Sequence, residues 1–181
     1  MANIFEVIDY PSKDKHEFQF NDGNPQSVWD AIFSEGRKYR YALWRIWGSR
    51  DKGKVMFIGL NPSTADERLN DATIRRCIGF AKDWGYGGMY MCNLFGYVST
   101  DPKALVTSEE PIEINDFWLK EIAKHCDKVV FAWGAFKLHK ERMEAVIKMF
   151  PEAYCIGKSK EGYPKHPLYL AKNSELIKYR G

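Results

Sequence analysis

The stretch 55-VMFIGLNPSTAD-66 decides the fold. Residues 55–60 are continuously apolar apart from one glycine, the pattern of a strand buried on both faces rather than one. Asn61-Pro62-Ser63-Thr64 then ends the run as a turn, with Ser63 or Thr64 available to cap the next segment. A strand buried on both faces needs cover on both sides, and the flanking sequence supplies it.

Downstream the chain alternates helix and strand. Residues 71–84 put Ile74, Cys77, Ile78, Ala81 and Trp84 on one helical face, with an acidic residue before the helix and Gly85 after it. Residues 89–93 (MYMCN) read as a second buried strand, and residues 112–126 as a helix with Ile114, Phe117, Trp118 and Ile122 inward. Residues 129–133 (VVFAW) are a third strand. Residues 135–150 come next as a helix using Phe136, Met143, Val146, Ile147 and Phe150, and residues 153–156 make a short fourth strand. Repeated strand–helix–strand units imply right-handed crossovers, a mainly parallel central sheet and a three-layer α/β/α sandwich.

Upstream, residues 39–47 (YRYALWRIW) are aromatic and β-rich, read as core and sheet face rather than a stacking platform. Residues 51–54 make a tight connection, so 39–47 and 55–60 are expected to pair as antiparallel neighbours. Residues 1–36 are the least regular part, an N-terminal antiparallel strand extension with an edge strand at 3–10 and a turn at Asn21-Asp22-Gly23. The expected organisation is one domain over residues 1–181, with its core at 37–172.

The composition agrees with a globular domain: 45% hydrophobic and 28% charged residues argue against extensive disorder. A net charge of +3 neither requires nor excludes nucleic acid, because a local groove outweighs the total. No run approaches the roughly 18–20 apolar residues of a membrane span, and the first residues lack the apolar core of a secretory signal. Cys77, Cys92, Cys126 and Cys155 form no CxxC pair, which disfavours zinc or redox chemistry and suits a reducing cytoplasm. The chain has no GxxxxGK, GxGxxG, HExxH or GxSxG, so neither a metal nor a cofactor is expected.

Ligands of such sheets bind beyond the carboxyl ends of the strands. The residues there are Asn61 after the first strand, Asn93 ending the second, Gly134 after the third, and a loop, residues 157–170, after the fourth. Asn61, Asn93 and His166 therefore fall on one rim.

These motifs carry a resemblance. FIGLNPSTAD (57–66), DATIRRCIGFAKDWGYGG (71–88), CNLF (92–95), AWGA (132–135) and HPLYL (166–170) resemble a catalogued domain family of unknown function, family 1643, over residues 37–172. More distantly the pattern resembles the uracil-DNA glycosylase superfamily. GLNPS is similar to the GINPG form of its first motif, and the asparagine ending MYMCN to its base-reading asparagine. VVFAWGA is similar to its strand ending in Trp-Gly, and HPLYL to its His-Pro motif.

The resemblance implies a uracil-DNA glycosylase-like fold and three roles. Asn61 would orient a water near the sugar–base bond, Asn93 would read the edge of a base, and His166 would donate to an oxygen gaining charge as the bond breaks. Leu170 stands where the superfamily carries a side chain that wedges into DNA. Three positions depart from it. The most active uracil-removing enzymes have an aspartate at the position of Asn61, and an amide cannot act as a general base. Leu168 and Tyr169 replace a Ser-Pro pair, which removes a phosphate-binding hydroxyl.

Chemistry supports these residue types independently. One amide offers both donor and acceptor, and a histidine can be neutral and still donate. Asp66 or Asp71 could supply the missing carboxylate, although acidic residues before a helix also serve as caps. Phe95 and Tyr169 are the aromatics that could stack on a base. Ser63, Arg75, Lys158 and Lys165 could contact phosphates, with Lys160 and Arg76 nearby, or lie on solvated surface. The expected partner is DNA or a nucleobase-containing small molecule. The expected activity is hydrolysis of the N-glycosidic bond of an unusual or modified base. A non-catalytic module recognising a base, or an enzyme acting on a free nucleoside or nucleotide, stays open.

Overall fold

The computed structural model describes residues 28–49, 51–106 and 111–180. The strand expected at 3–10 and the turn at 21–23 lie outside them. The described elements are β1 (Val28–Phe33), β2 (Arg40–Ile46), β3 (Lys54–Gly59), α1 (Ala72–Asp83), β4 (Gly88–Asn93), α2 (Ile112–Ala123), β5 (Lys128–Phe131), α3 (Lys140–Met149), β6 (Tyr154–Cys155) and β7 (Ile177–Lys178). Single 3-10 turns join several of them, among them Pro167–Tyr169.

The strands form one seven-stranded sheet in the order β1-β2-β4-β3-β5-β6-β7. It is mixed, which corrects the expectation of a mainly parallel sheet. β4, β3, β5 and β6 run parallel at its centre, while β1, β2 and β7 join antiparallel at the edges. The expected pairing of β2 with β3 is also corrected. β4 lies between them, with Leu43 opposite Met91 and Met91 opposite Phe57. The tight connection at 51–54 turns the chain without making a hairpin, and Lys54–Gly59 gains two parallel partners instead of one antiparallel one.

Alternation along β3 feeds two cores. Met56 and Ile58 join Leu119, Ile122, Met143, Val146 and Ile147 on the face covered by α2 and α3. Val55 and Phe57 join Ile74, Cys77, Phe80 and Ala81 on the face covered by α1. Helices thus cover both faces. Phe57 is fully buried, and truncating it to alanine should cost roughly 3–5 kcal/mol.

α1 begins where Asp71 Oδ1 accepts the Ile74 amide at 2.8 Å and ends before Gly85, whose φ of +85° suits glycine. The helix expected at 135–150 starts later: residues 137–139 form a 3-10 turn and α3 begins at Lys140. Among the described residues no helix is long and apolar enough to cross a membrane.

The strand order places the site. From β3 the chain steps to β4 on one side and later to β5 and β6 on the other, with α1 and α2 on opposite faces. The direction of winding switches at β3, and such a switch opens a crevice at the carboxyl ends of the strands.

Candidate functional site

A cavity of about 440 Å³ occupies that crevice, within the usual range for ligand sites. Asn61, Asn93 and His166 all line it, although they come from three separate segments. Arg40, Ser63, Asp71, Trp133, Phe136 and Tyr169 complete the parts of the wall that bear on its chemistry.

Asn93 ends β4 and is 3% exposed. Its Oδ1 accepts Arg40 Nη2 at 3.4 Å, while its Nδ2 bonds to no described residue. Its backbone is held from behind. Asn115, fully buried on α2, donates through Nδ2 to the carbonyls of Asn93 and Leu94, each at 3.0 Å. Arg142 on α3 donates Nε to the Leu94 carbonyl at 2.7 Å and pairs with Asp116 at 2.6 Å. Two helices therefore fix the turn that carries the amide.

Asn61 is oriented differently. Its Nδ2 lies against the carbonyls of Pro62, Tyr97 and Ser99, at 3.0, 3.4 and 2.8 Å. Three acceptors around one nitrogen identify it as the NH₂ and leave Oδ1 as the group with acceptor capacity to offer a water or ligand. The side chain thereby ties the loop after β3 to the loop after β4.

His166 precedes the 3-10 turn, and its Nδ1 accepts the Leu168 amide at 3.4 Å. That contact selects the tautomer with the proton on Nε2. Burial pushes the imidazole below its ordinary value, and the charge of Asp71 opposes this in part. The ring is neutral at pH 7 and retains one donor. Gly134 lies beside His166 with φ +81°, a backbone conformation that favours glycine.

Arg40 is the residue that sequence reasoning missed. It is 2% exposed, donates Nη1 to the Ala65 carbonyl at 2.8 Å, and has an unpartnered buried Nε. Burial pulls it down to about 10, so it remains a cation at neutral pH, with Asp71 and Asp66 acting on it at longer range. Its place in an aromatic, β-rich strand marked it as sheet. The signal for it was a charged residue on a strand expected to be buried.

Other candidates divide. Ser63 and Tyr169 lie on the cavity wall, Tyr169 being 84% exposed with its ring centroid 5.7 Å from that of His166. Phe95 does not line the cavity: it is buried and packs edge-on against His139 at 4.7 Å. Phe136, expected as a helix core residue, lies before α3 rather than in it; it packs against the core covered by α2 and α3 and also stands on the cavity wall.

Asp66 is also absent from the wall. Its Oδ1 accepts the amides of Arg68 and Leu69, both at 2.8 Å, and so closes a turn. Asp71 is the carboxylate that lines the cavity.

Apart from Ser63 on the wall, the expected phosphate contacts are peripheral. Arg75 is exposed and donates Nη1 to the Asn70 carbonyl, Lys158 sits 5.3 Å over the Tyr179 ring, and Lys165 is exposed. None of the three lines the cavity. Leu170 packs against the α1-side core rather than projecting as a wedge, and Arg76 donates to its carbonyl. Among the described residues no three His, Cys, Asp or Glu side chains stand together as a metal site.

Residues 40–168 match the family described as "Protein of unknown function (DUF1643)", and the chain belongs to that family. The match runs from the start of β2 to Leu168 in the 3-10 turn, and so includes Arg40, Asn61, Asn93 and His166. No curated protein and no solved structure shows significant similarity to the chain.

Proposed function

We propose that the cavity takes a single nucleobase and that the protein is a uracil-DNA glycosylase-like hydrolase of an unusual or modified base in DNA. The observation that carries this reading is the convergence of Asn61, Asn93 and His166 on one cavity of about 440 Å³.

The base would leave the stack to enter, as in other enzymes that work on a base. Asn93 Nδ2 would donate to an acceptor on the ring edge, and Phe136 or Tyr169 would cover a ring face. The neutral His166 Nε2–H would meet the oxygen on which charge develops as the glycosidic bond breaks. A well-placed donor of this kind is worth about 3–4 kcal/mol in the transition state. Asn61 Oδ1 can hold a water by accepting its hydrogen, and Asp71 is the carboxylate on the wall that can take a proton from it. The parallel β4-β3-β5-β6 centre with helices on both faces suits the same reading of the fold.

Binding without turnover is the second reading. It draws on Asp71 already capping α1 and on Asp66 lying off the wall, which weakens water activation.

A panel of single- and double-stranded oligonucleotides carrying modified bases, run beside free nucleosides, tests the proposal. Abasic product from at least one oligonucleotide is expected. Tight binding with no abasic product selects the second reading, and cleavage confined to free nucleosides rules out DNA as the substrate.

A further inference from the structure

We infer that Arg40 makes its end of the cavity a receptor for an anionic oxygen group, so the ligand is a heterocycle bearing a carboxylate or phosphate. This rests on the nucleobase reading above and names the class of ligand within it.

Two buried arginines on β2 supply the contrast. Arg45 is 0% exposed, and each of its guanidinium nitrogens has acceptors. Nε donates to Asn70 Oδ1, Nη1 to the carbonyls of Trp44 and Asp30, and Nη2 to those of Asp66 and Leu69. That is a structural arginine, clasping the loop between β3 and α1. Arg40 is buried almost as deeply, yet has only the Ala65 carbonyl and the long contact to Asn93, and its Nε has none. None of the ion pairs among the described residues includes it. A buried guanidinium left in this state is under-satisfied, and a cavity at its side is where the missing acceptor would come from.

The neighbouring donors agree. Trp133 Nε1, also on a wall residue, is buried without a partner, and Asn93 Nδ2 bonds to no described residue. With Arg40 against its Oδ1, Asn93 offers the ligand its NH₂ side. A guanidinium and an amide N–H on one wall are both donors, and an oxygen carrying negative charge satisfies such a pair best. Asp71, on the same wall, acts on Arg40 through its charge without forming an ion pair with it, and so leaves the guanidinium its donors for a ligand.

Calorimetric titration of the full-length protein tests this. The panel is uracil, 5-carboxyuracil, 6-carboxyuracil, uridine, uridine 5′-monophosphate and inorganic phosphate. At least one anionic compound is expected to bind about tenfold or more tighter than its uncharged counterpart. An advantage confined to the carboxyuracils places the charge on the base. One confined to the monophosphate, with competition by inorganic phosphate, places it on the nucleotide.

Arg40→Met should bring each anion to within about twofold of its neutral counterpart. Asn93→Asp should do the same by setting a resident carboxylate against Arg40, with no large buried side chain removed. It serves if Arg40→Met does not fold. Neutral compounds binding as tightly as anions would overturn the inference while leaving the nucleobase reading intact. So would an anion advantage that persists in both variants. No binding by any ring compound would overturn both.

Discussion

A Cβ added to Gly59 would stand 2.8 Å from Asn93 Nδ2, so the amide at the base of the cavity fills space that glycine leaves open. The two residues are register partners on β3 and β4. Gly59→Ala should therefore displace the amide, at about 1–3 kcal/mol of stability from overpacking. Ligand affinity should fall by more than the melting temperature suggests. Chemical denaturation and ligand titration of the same variant measure the two effects separately, and an unchanged affinity would show that Asn93 does not touch the ligand.

Asn115 holds the turn after Asn93 with both hydrogens of its amide. Asn115→Leu removes the donors and leaves two buried carbonyls, of which Leu94 keeps Arg142. Leaving the Asn93 carbonyl unpaired should cost about 1–3 kcal/mol. For a chain of this size each kcal/mol lowers the melting temperature by roughly 2–4 °C. A melting temperature equal to that of the wild type would show that α2 does not carry the turn.

His166 gives the site a pH signature. Its folded value is lowered by burial, so the neutral ring is the favoured form. Stability from this group is present above the unfolded value of about 6.5 and is lost as pH falls below it toward the folded value. His139, also lowered by burial, adds in the same direction. An NMR titration of the imidazole nitrogens should show the Nε2–H tautomer and a midpoint below about 6.5 for His166. A proton on Nδ1, or a midpoint above that value, would contradict the geometry.

Tyr169 is 84% exposed at the cavity mouth, beside His166. Tyr169→Ala should leave stability within about 0.5 kcal/mol. If the ring stacks on a base, the same change should weaken single-stranded oligonucleotide binding by about 1–3 kcal/mol in fluorescence anisotropy. Equal affinity for both proteins would remove Tyr169 from the interface.

The central units were legible because their patterns are local. The continuous apolar run at 55–60, the cap at Asp71 and the face of Ile74, Cys77 and Ala81 each arise from nearest-neighbour spacing. Partner choice between strands is not local. Residues 51–54 have the look of a hairpin turn between β2 and β3, but β3 is satisfied by β4 and β5, and β2 finds β1 on its other edge. The short edge strand β7 carried no pattern to read.

Asn61, Asn93 and His166 are found by the carboxyl-end rule together with the resemblance, since Asn61 and Asn93 follow or end a recognisable strand and His166 lies in the loop after the fourth. Arg40 sits at the start of a strand, at the other end of that logic, and reaches the cavity only because β2 runs antiparallel to β4. Asp66 and Phe95 do not reach the wall because turn closure and ring packing depend on neighbours brought in by the fold.

Nitrogen-15 spectra of the asparagine side chains report most directly on whether a base enters between the two amides and the imidazole. On titration with the tightest-binding ring compound, the Asn93 NH₂ and His166 Nε2 resonances should shift together and saturate at one concentration. Saturable binding that leaves both unmoved while resonances elsewhere shift would contradict the account.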